Sequence, residues 1–285
     1  MYSLLITARE LQQLQQQGQP CAVLDCSFDL MKPELADGLF AATHIAGALH
    51  AHLDKHLSTH HPAQAVNGGR HPLPQREAVA QWLGSMGIHN DMQIVVYDRN
   101  KGHYCGRLWW MLKWLGHDAV ALLDGGLQAW EAAGGPLASG PARGATPTQF
   151  ELKSPLRQLV LTEKVATELG KPTQTLIDAR AGARYRGEVE PLDPVAGHIP
   201  GALNRPFTEN FTEDGFFKSA AVLKTEWDKV LAGRSVSSVV HHCGSGVTAV
   251  PNLIAMELAG FGPTALYAGS WSEWSRTPGL ACAQG

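Results

Sequence analysis

The chain has 285 residues, 44% of them hydrophobic, enough for one large core or two ordinary ones. Its formal net charge of −3, with histidines neutral, gives no electrostatic reason to expect nucleic acid or an anionic membrane as partner. No stretch reaches about 18 uninterrupted apolar residues, and the run LLI near the start is too short for a signal-peptide core, so the sequence predicts a soluble, cytoplasmic protein.

In chain order, CAVLDC (21–26), QIVVYD (93–98) and AVALL (119–123) read as short strands. QREAVAQWLGSM (75–86) and GRLWWMLKWLG (106–116) carry helical apolar spacing and end near glycine. A Gly-, Pro- and Ala-rich stretch, GGPLASGPARGATPT (134–148), reads as a linker. QTLIDA (174–179), SVVHH (238–242) and TALYA (264–268) then repeat the strand pattern. Strands alternating with helices predict a mainly parallel sheet flanked by helices.

The two halves match block by block and in the same order. VLDCS (23–27) pairs with LIDAR (176–180), THIAGALH (43–50) with GHIPGALN (197–204), and LLDGGLQAW (122–130) with LYAGSWSEW (266–274). The chain therefore reads as a tandem duplication, with the boundary near residue 145.

Five cysteines (Cys21, Cys26, Cys105, Cys243 and Cys282) are few and odd in number, and no CxxC pair suggests a structural zinc site. Cys243 stands apart. It follows the strand SVVHH and precedes Gly244, Ser245 and Gly246, after which VTAVPNLIAMELAG (247–260) has helical spacing. Pro251 fits only the first turn of that helix, so the helix is expected to begin near Val247 or Thr248. A thiol just before a helix meets free backbone N–H groups and the positive end of the helix dipole. Thiol pKa values at such positions fall from about 8.5 to roughly 3.5–7.5. The glycines let several N–H groups turn toward one centre. A cysteine phosphatase loop would need arginine six residues on, where this chain has Ala249. Aligning the halves puts Asp98 opposite Cys243, so the first copy lacks the nucleophile.

With HIAGA and HIPGA, GRLWWMLKWLGH, LLDGGLQAW, DARAGARYRG and CGSGVTA, nearly the whole chain resembles the two-domain rhodanese-type sulfurtransferases. The CGSGVTA loop resembles that of their 3-mercaptopyruvate branch. The resemblance implies an α/β fold of two tandem rhodanese-like domains, non-catalytic over 1–145 and catalytic over 146–285. It implies sulfur transfer from 3-mercaptopyruvate through a Cys243 persulfide to cyanide, a small thiol or a reduced thioredoxin, with no cofactor and no metal. Thiosulfate is the alternative donor, and a non-catalytic sulfur-binding or docking module the alternative of another class.

Carried over by motif, Ser245, His71 (in GRHPLP) and Asp54 form a serine–histidine–aspartate set, the last two from the first half. Arg184 is the substrate-binding arginine, and Gly244, Gly246, Val247 and Thr248 line the loop. A second arginine expected just before GHIPG is absent, since Pro191 and Leu192 stand there; Arg186 and Arg70 are the candidates to replace it. The histidine-rich stretch 48–61, with His50, His52, His56, His60 and His61, reads as a polar loop, and Cys282 as an exposed spare thiol.

Overall fold

The computed structural model describes residues 1–142 and 144–285; Arg143, in the expected linker, lies outside the described residues. The residues fall into two compact units. One comprises 1–64, 74–156 and 213–216; the other comprises 65–73, 157–212 and 217–285.

The first unit begins with β1 (Leu5–Ile6) and α1 (Ala8–Gln16), then β2 (Cys21–Asp25), α2 (Ala36–Ala42), β3 (His44–Ile45) and β4 (Leu49–His50). It continues with α3 (Arg76–Ser85), β5 (Gln93–Tyr97), α4 (Gly106–Trp114), β6 (Val120–Leu123), α5 (Gly126–Ala132) and β7 (Leu137–Ala138). The strands order as β1-β6-β5-β2-β4, and every pairing is parallel. A reciprocal cap starts α1, with Thr7 and Glu10 each bonding the other's backbone. All nine residues of α4 are buried, Arg107 and Lys113 among them; the Arg107 guanidinium donates to the Leu57 carbonyl and Lys113 Nζ to that of Asp118, which satisfies their polar ends.

The second unit holds β8 (Leu159–Val160), α6 (Thr162–Thr167), β9 (Thr175–Asp178), α7 (Gly182–Tyr185), β10 (Leu203–Asn204), α8 (Ala220–Leu231), β11 (Val239–His242), α9 (Val250–Leu258), β12 (Ala265–Tyr267) and α10 (Ser270–Trp274). Its parallel sheet runs β10-β9-β11-β12-β8, the same order as the first once corresponding strands are matched. Smaller features repeat too. β3 pairs antiparallel with β7 in the first unit, and His198 bridges Ala283 antiparallel in the second. The indole N–H of Trp130 donates to Pro136, and that of Trp274 to Ala281.

Two expectations shift. The first unit runs on to Leu156, past position 145, because the connecting segment lies on its helices: Thr148 N–H donates to the Gly84 carbonyl and Lys153 N–H to that of Leu115. The expected linker also gives up Leu137 and Ala138 to β7. Helix α9 begins at Val250 rather than at 247 or 248, with Pro251 in its first turn as its missing N–H requires. The extra residues lengthen the loop after Cys243.

Both histidines of β11 are fully buried. His241 places Nε2 3.2 Å from the Met256 sulfur and meets Trp227 edge-on, whereas His242 lies toward Tyr267. Burial, with His242 beside it, lowers the His241 pKa to about 3. Burial likewise lowers His242, and pushes His56 down to about 4. The sign follows directly. Between these values and the unfolded value of about 6.5, the unfolded chain binds protons that the folded chain refuses, so stability is lost as pH falls through that window. His241 alone contributes about 2 kcal/mol of this loss at pH 5. The thermal midpoint is therefore expected to drop by several degrees between pH 7 and pH 5; a flat profile would contradict the assignment.

Candidate active site

In an open parallel sheet, loops leaving the carboxyl ends of the strands form the functional crevice. Cys243 sits at that end of β11, directly after His242, whose register partner on β9 is Asp178. The cysteine is 1% exposed. Its loop is pinned from below by α10: Trp271 N–H donates to the Cys243 carbonyl at 3.0 Å and Ser272 N–H to the Gly244 carbonyl at 2.8 Å. Cys243's own N–H donates to Ser270 Oγ at 3.1 Å, which in turn donates to the Tyr267 carbonyl.

Gly246 has φ +73°, and a Cβ there would lie 2.3 Å from the Ala268 carbonyl oxygen, so only glycine fits. The amide N–H groups of Gly244, Ser245, Val247 and Thr248 have no acceptor among the described residues. Four donors left unclaimed in a tight loop suit an anion.

The first unit shows what such a loop does when it holds one. Asp98 occupies the place corresponding to Cys243 and is fully buried. Its carboxylate accepts N–H bonds from Asn100, Gly102, Tyr104 and Cys105 at 2.8–2.9 Å. The Asp98 carbonyl accepts from Leu127, as that of Cys243 accepts from Trp271. The fold thus builds a cradle for negative charge at this position, and in the second unit a sulfur atom takes the carboxylate's place.

His71 belongs to the second unit, although its position in the chain suggests the first. The segment 65–73 is tied to α10: Gly68 N–H donates to Glu273 Oε1 and Arg70 N–H to Ser272 Oγ, both at 2.9 Å. This brings His71 Nδ1 to 2.7 Å from Ser245 Oγ, with both residues buried. Asp54 lies in the first unit, in the turn after β4, where its backbone N–H donates to His52 Nδ1.

A layer of charge lies beside the loop. Arg180, on the turn after β9, grips Asp178 through Nε and Nη2 at 2.6–3.1 Å. Burial works to lower the Arg180 pKa, but Asp178, Glu190 and the Cys243 sulfur outweigh it and hold the guanidinium above its usual value. Burial alone would raise the Asp178 carboxyl; His242 and Arg180 overcome that and hold it low. Arg184 Nη2 donates to Glu190 Oε1 at 2.6 Å. The Arg184 guanidinium comes within 3.6 Å of where a Gly244 Cβ would lie, beside the cysteine. Arg186 turns away onto Glu188 at 2.7 Å, and both are exposed.

Several participants were not foreseen from sequence. Asp178 and Arg180 lay inside the DARAGARYRG block without being singled out, and Glu190 and Asp193 carried no signal beyond being charged. Ser270 did carry one: it stands where the first repeat has Gly126, and both adopt left-handed backbone, at φ +56° and +62°. A serine in a glycine slot is strained and calls for a reason, which its bond to Cys243 supplies. Among the described residues no three His, Cys, Asp or Glu side chains group as metal ligands, and no helix is long and apolar enough to cross a membrane. Cys282 is exposed and free.

The Rhodanese-like domain pattern matches residues 7–133 and 161–277. Over 264 residues the chain is 45% identical to a Pseudomonas aeruginosa protein named as a probable 3-mercaptopyruvate sulfurtransferase, covering 92% of each. It is 33% identical over 264 residues to the thiosulfate sulfurtransferase of Mus musculus, covering 91% of this chain and 86% of that one. The solved structure of 3-mercaptopyruvate sulfurtransferase from Leishmania major matches with a TM-score of 0.80 and 31% identity, over 96% of this chain and 74% of that one.

Proposed function

The chain belongs to the rhodanese-like domain family, and on that premise we propose that it is a sulfurtransferase, with Cys243 as the sulfur carrier and 3-mercaptopyruvate as donor. The observation that carries this reading is the loop after β11: a cysteine at its start, unclaimed amide N–H groups around it, and a serine–histidine pair at 2.7 Å alongside.

The chemistry balances without an outside oxidant. The Cys243 thiolate attacks the donor sulfur; a sulfur–sulfur bond forms as the carbon–sulfur bond breaks, and the electron pair leaves on carbon as the enolate of pyruvate. That enolate takes up one proton, and the Ser245 hydroxyl, linked to the His71 imidazole, is the group beside the loop able to deliver it. Arg184 offers a guanidinium to the donor carboxylate. Cyanide, a small thiol or a reduced thioredoxin then attacks the outer sulfur and restores the thiolate. The amides serve both anionic states of the cysteine, thiolate and persulfide, through dipoles already in place.

Thiosulfate is the second reading, favoured by the mouse relative and by Pro191 and Leu192 where a further arginine was expected. Incubation with 3-mercaptopyruvate is expected to add the mass of one sulfur atom to the protein, release pyruvate, and be reversed by cyanide. A protein that gains no sulfur from either donor sinks the sulfurtransferase reading; a larger kcat/KM for thiosulfate overturns the choice of donor.

A further inference from the structure

We infer that Arg70 is a second carboxylate-binding arginine of the donor site, acting with Arg184, and that Asp193 is the positioning residue that aims both; this rests on the sulfurtransferase reading above. Asp193 comes from the same segment in which Pro191 and Leu192 replace the expected arginine. Its carboxylate is fully buried and gathers three arginines, two of them, Arg70 and Arg276, from distant parts of the chain. Oδ1 accepts from Arg70 Nη1 at 2.9 Å and from Arg276 Nη1 at 3.0 Å, while Arg184 Nη2 lies 3.4 Å from Oδ2. The segment is itself fixed, because the N–H groups of Leu192 and Asp193 donate to Glu190 Oε1 at 3.0 and 3.2 Å.

The guanidinium nitrogens are used unevenly. Arg70 spends Nη1 on Asp193 and leaves Nε and Nη2 buried without a hydrogen-bond partner; Arg184 leaves Nε in the same condition. Buried donors left unpaired destabilise the folded state, and their retention in a folded protein asks for an explanation. The position of Arg70 supplies one. Its Nη2 lies 3.0 Å from where a Gly244 Cβ would be, and Arg184 Nη1 lies 3.6 Å from the same point. Two guanidinium groups thus flank the residue next to Cys243, each anchored on an acid at one edge. The N–H groups left over match the adjacent oxygens of an α-keto carboxylate.

Arg70 is held in place as well as aimed. Its backbone N–H is bonded to Ser272, and its neighbour His71 to Ser245. Arg276, bonded also to the Ser272 carbonyl, braces Asp193 from the solvent side. Across the connected network four arginines, Arg70, Arg180, Arg184 and Arg276, are braced by three carboxylates, Asp178, Glu190 and Asp193.

The test compares 3-mercaptopyruvate with mercaptoacetone, which keeps the ketone and thiol but has no carboxylate. Arg70→Ala is expected to raise KM for 3-mercaptopyruvate about 10- to 100-fold, with a smaller change in kcat and little change for mercaptoacetone. Arg70→Lys should recover part of the loss. Asp193→Asn should act in the same direction through KM, as a residue that aims others does. An equal loss with both donors would mean that Arg70 only supports the fold and would overturn the inference, as would an unchanged KM. If Arg70→Ala does not fold, Arg70→Gln carries the same comparison. Calorimetric binding of pyruvate, which needs no turnover, separates the two claims. Binding through Arg70 without sulfur transfer sinks the sulfurtransferase reading alone. Sulfur transfer with an unaltered donor ratio, or pyruvate binding indifferent to Arg70, sinks the arginine pair alone.

Discussion

Replacing Cys243 with serine is expected to abolish turnover and the gain of one sulfur atom together, while leaving the thermal midpoint nearly unchanged. The two side chains are close in size, and the unclaimed amide N–H groups of the loop can bond the hydroxyl oxygen, so the fold loses at most about 1 kcal/mol. A hydroxyl cannot form the sulfur–sulfur bond, and at neutral pH it is not ionised. The other four thiols offer no substitute. Burial pushes Cys26 and Cys105 well above the ordinary thiol range and Cys21 up to about 11. Cys282 is exposed, outside any described loop of amides. Intact mass after incubation with donor decides the matter: sulfur loading on Cys243→Ser would remove the mechanism.

The second large effect is expected at a residue with no side chain. Gly246→Ala puts a methyl group 2.3 Å from the Ala268 carbonyl oxygen and within 2.9 Å of two further backbone atoms of that residue. Backbone cannot swing aside as a side-chain end can, so the loop must move. Left-handed backbone at φ +73° adds about 1–2 kcal/mol against any residue with a Cβ. Displacements of about 1 Å at a reacting centre cost on the order of 100-fold in rate. Turnover is thus expected to fall at least about 100-fold, with a stability loss of about 2–4 kcal/mol. Gly244→Ala is the useful contrast, because its Cβ would meet side-chain nitrogens at 3.0 and 3.6 Å, and these can shift. Wild-type rates in Gly246→Ala would show that the loop's shape does not govern the chemistry.

The parts of this molecule that are legible in its sequence are those written in consecutive residues. The repeated blocks announce two copies of one sheet, and the strands at 21–25, 93–97, 175–178 and 239–242 fall where alternation and apolar runs put them. Cys243 is visible because strand, thiol, glycines and helix are adjacent. What the sequence hides is contact across distance. Arg70 and Asp193 are 123 residues apart, and nothing local to either names the other. His71 packs with the second unit because Gly68 and Arg70 bond to α10, a partnership that chain order conceals. The start of α9 is misread because a loop rich in small residues does not reveal how many of them it uses before the first helical turn. Ser270 is the instructive middle case: comparison of the two copies with each other, a serine set against a glycine, exposes a strained position that neither copy would betray alone.

The carboxylate of Asp98 is in effect a counter-ion that the chain has fastened into its own first copy. A soluble anion would have to compete with one whose local concentration never drops, and four amides are already committed to it. Capacity is therefore expected to be a single equivalent per polypeptide despite the doubled architecture, and titration with donor should break at one.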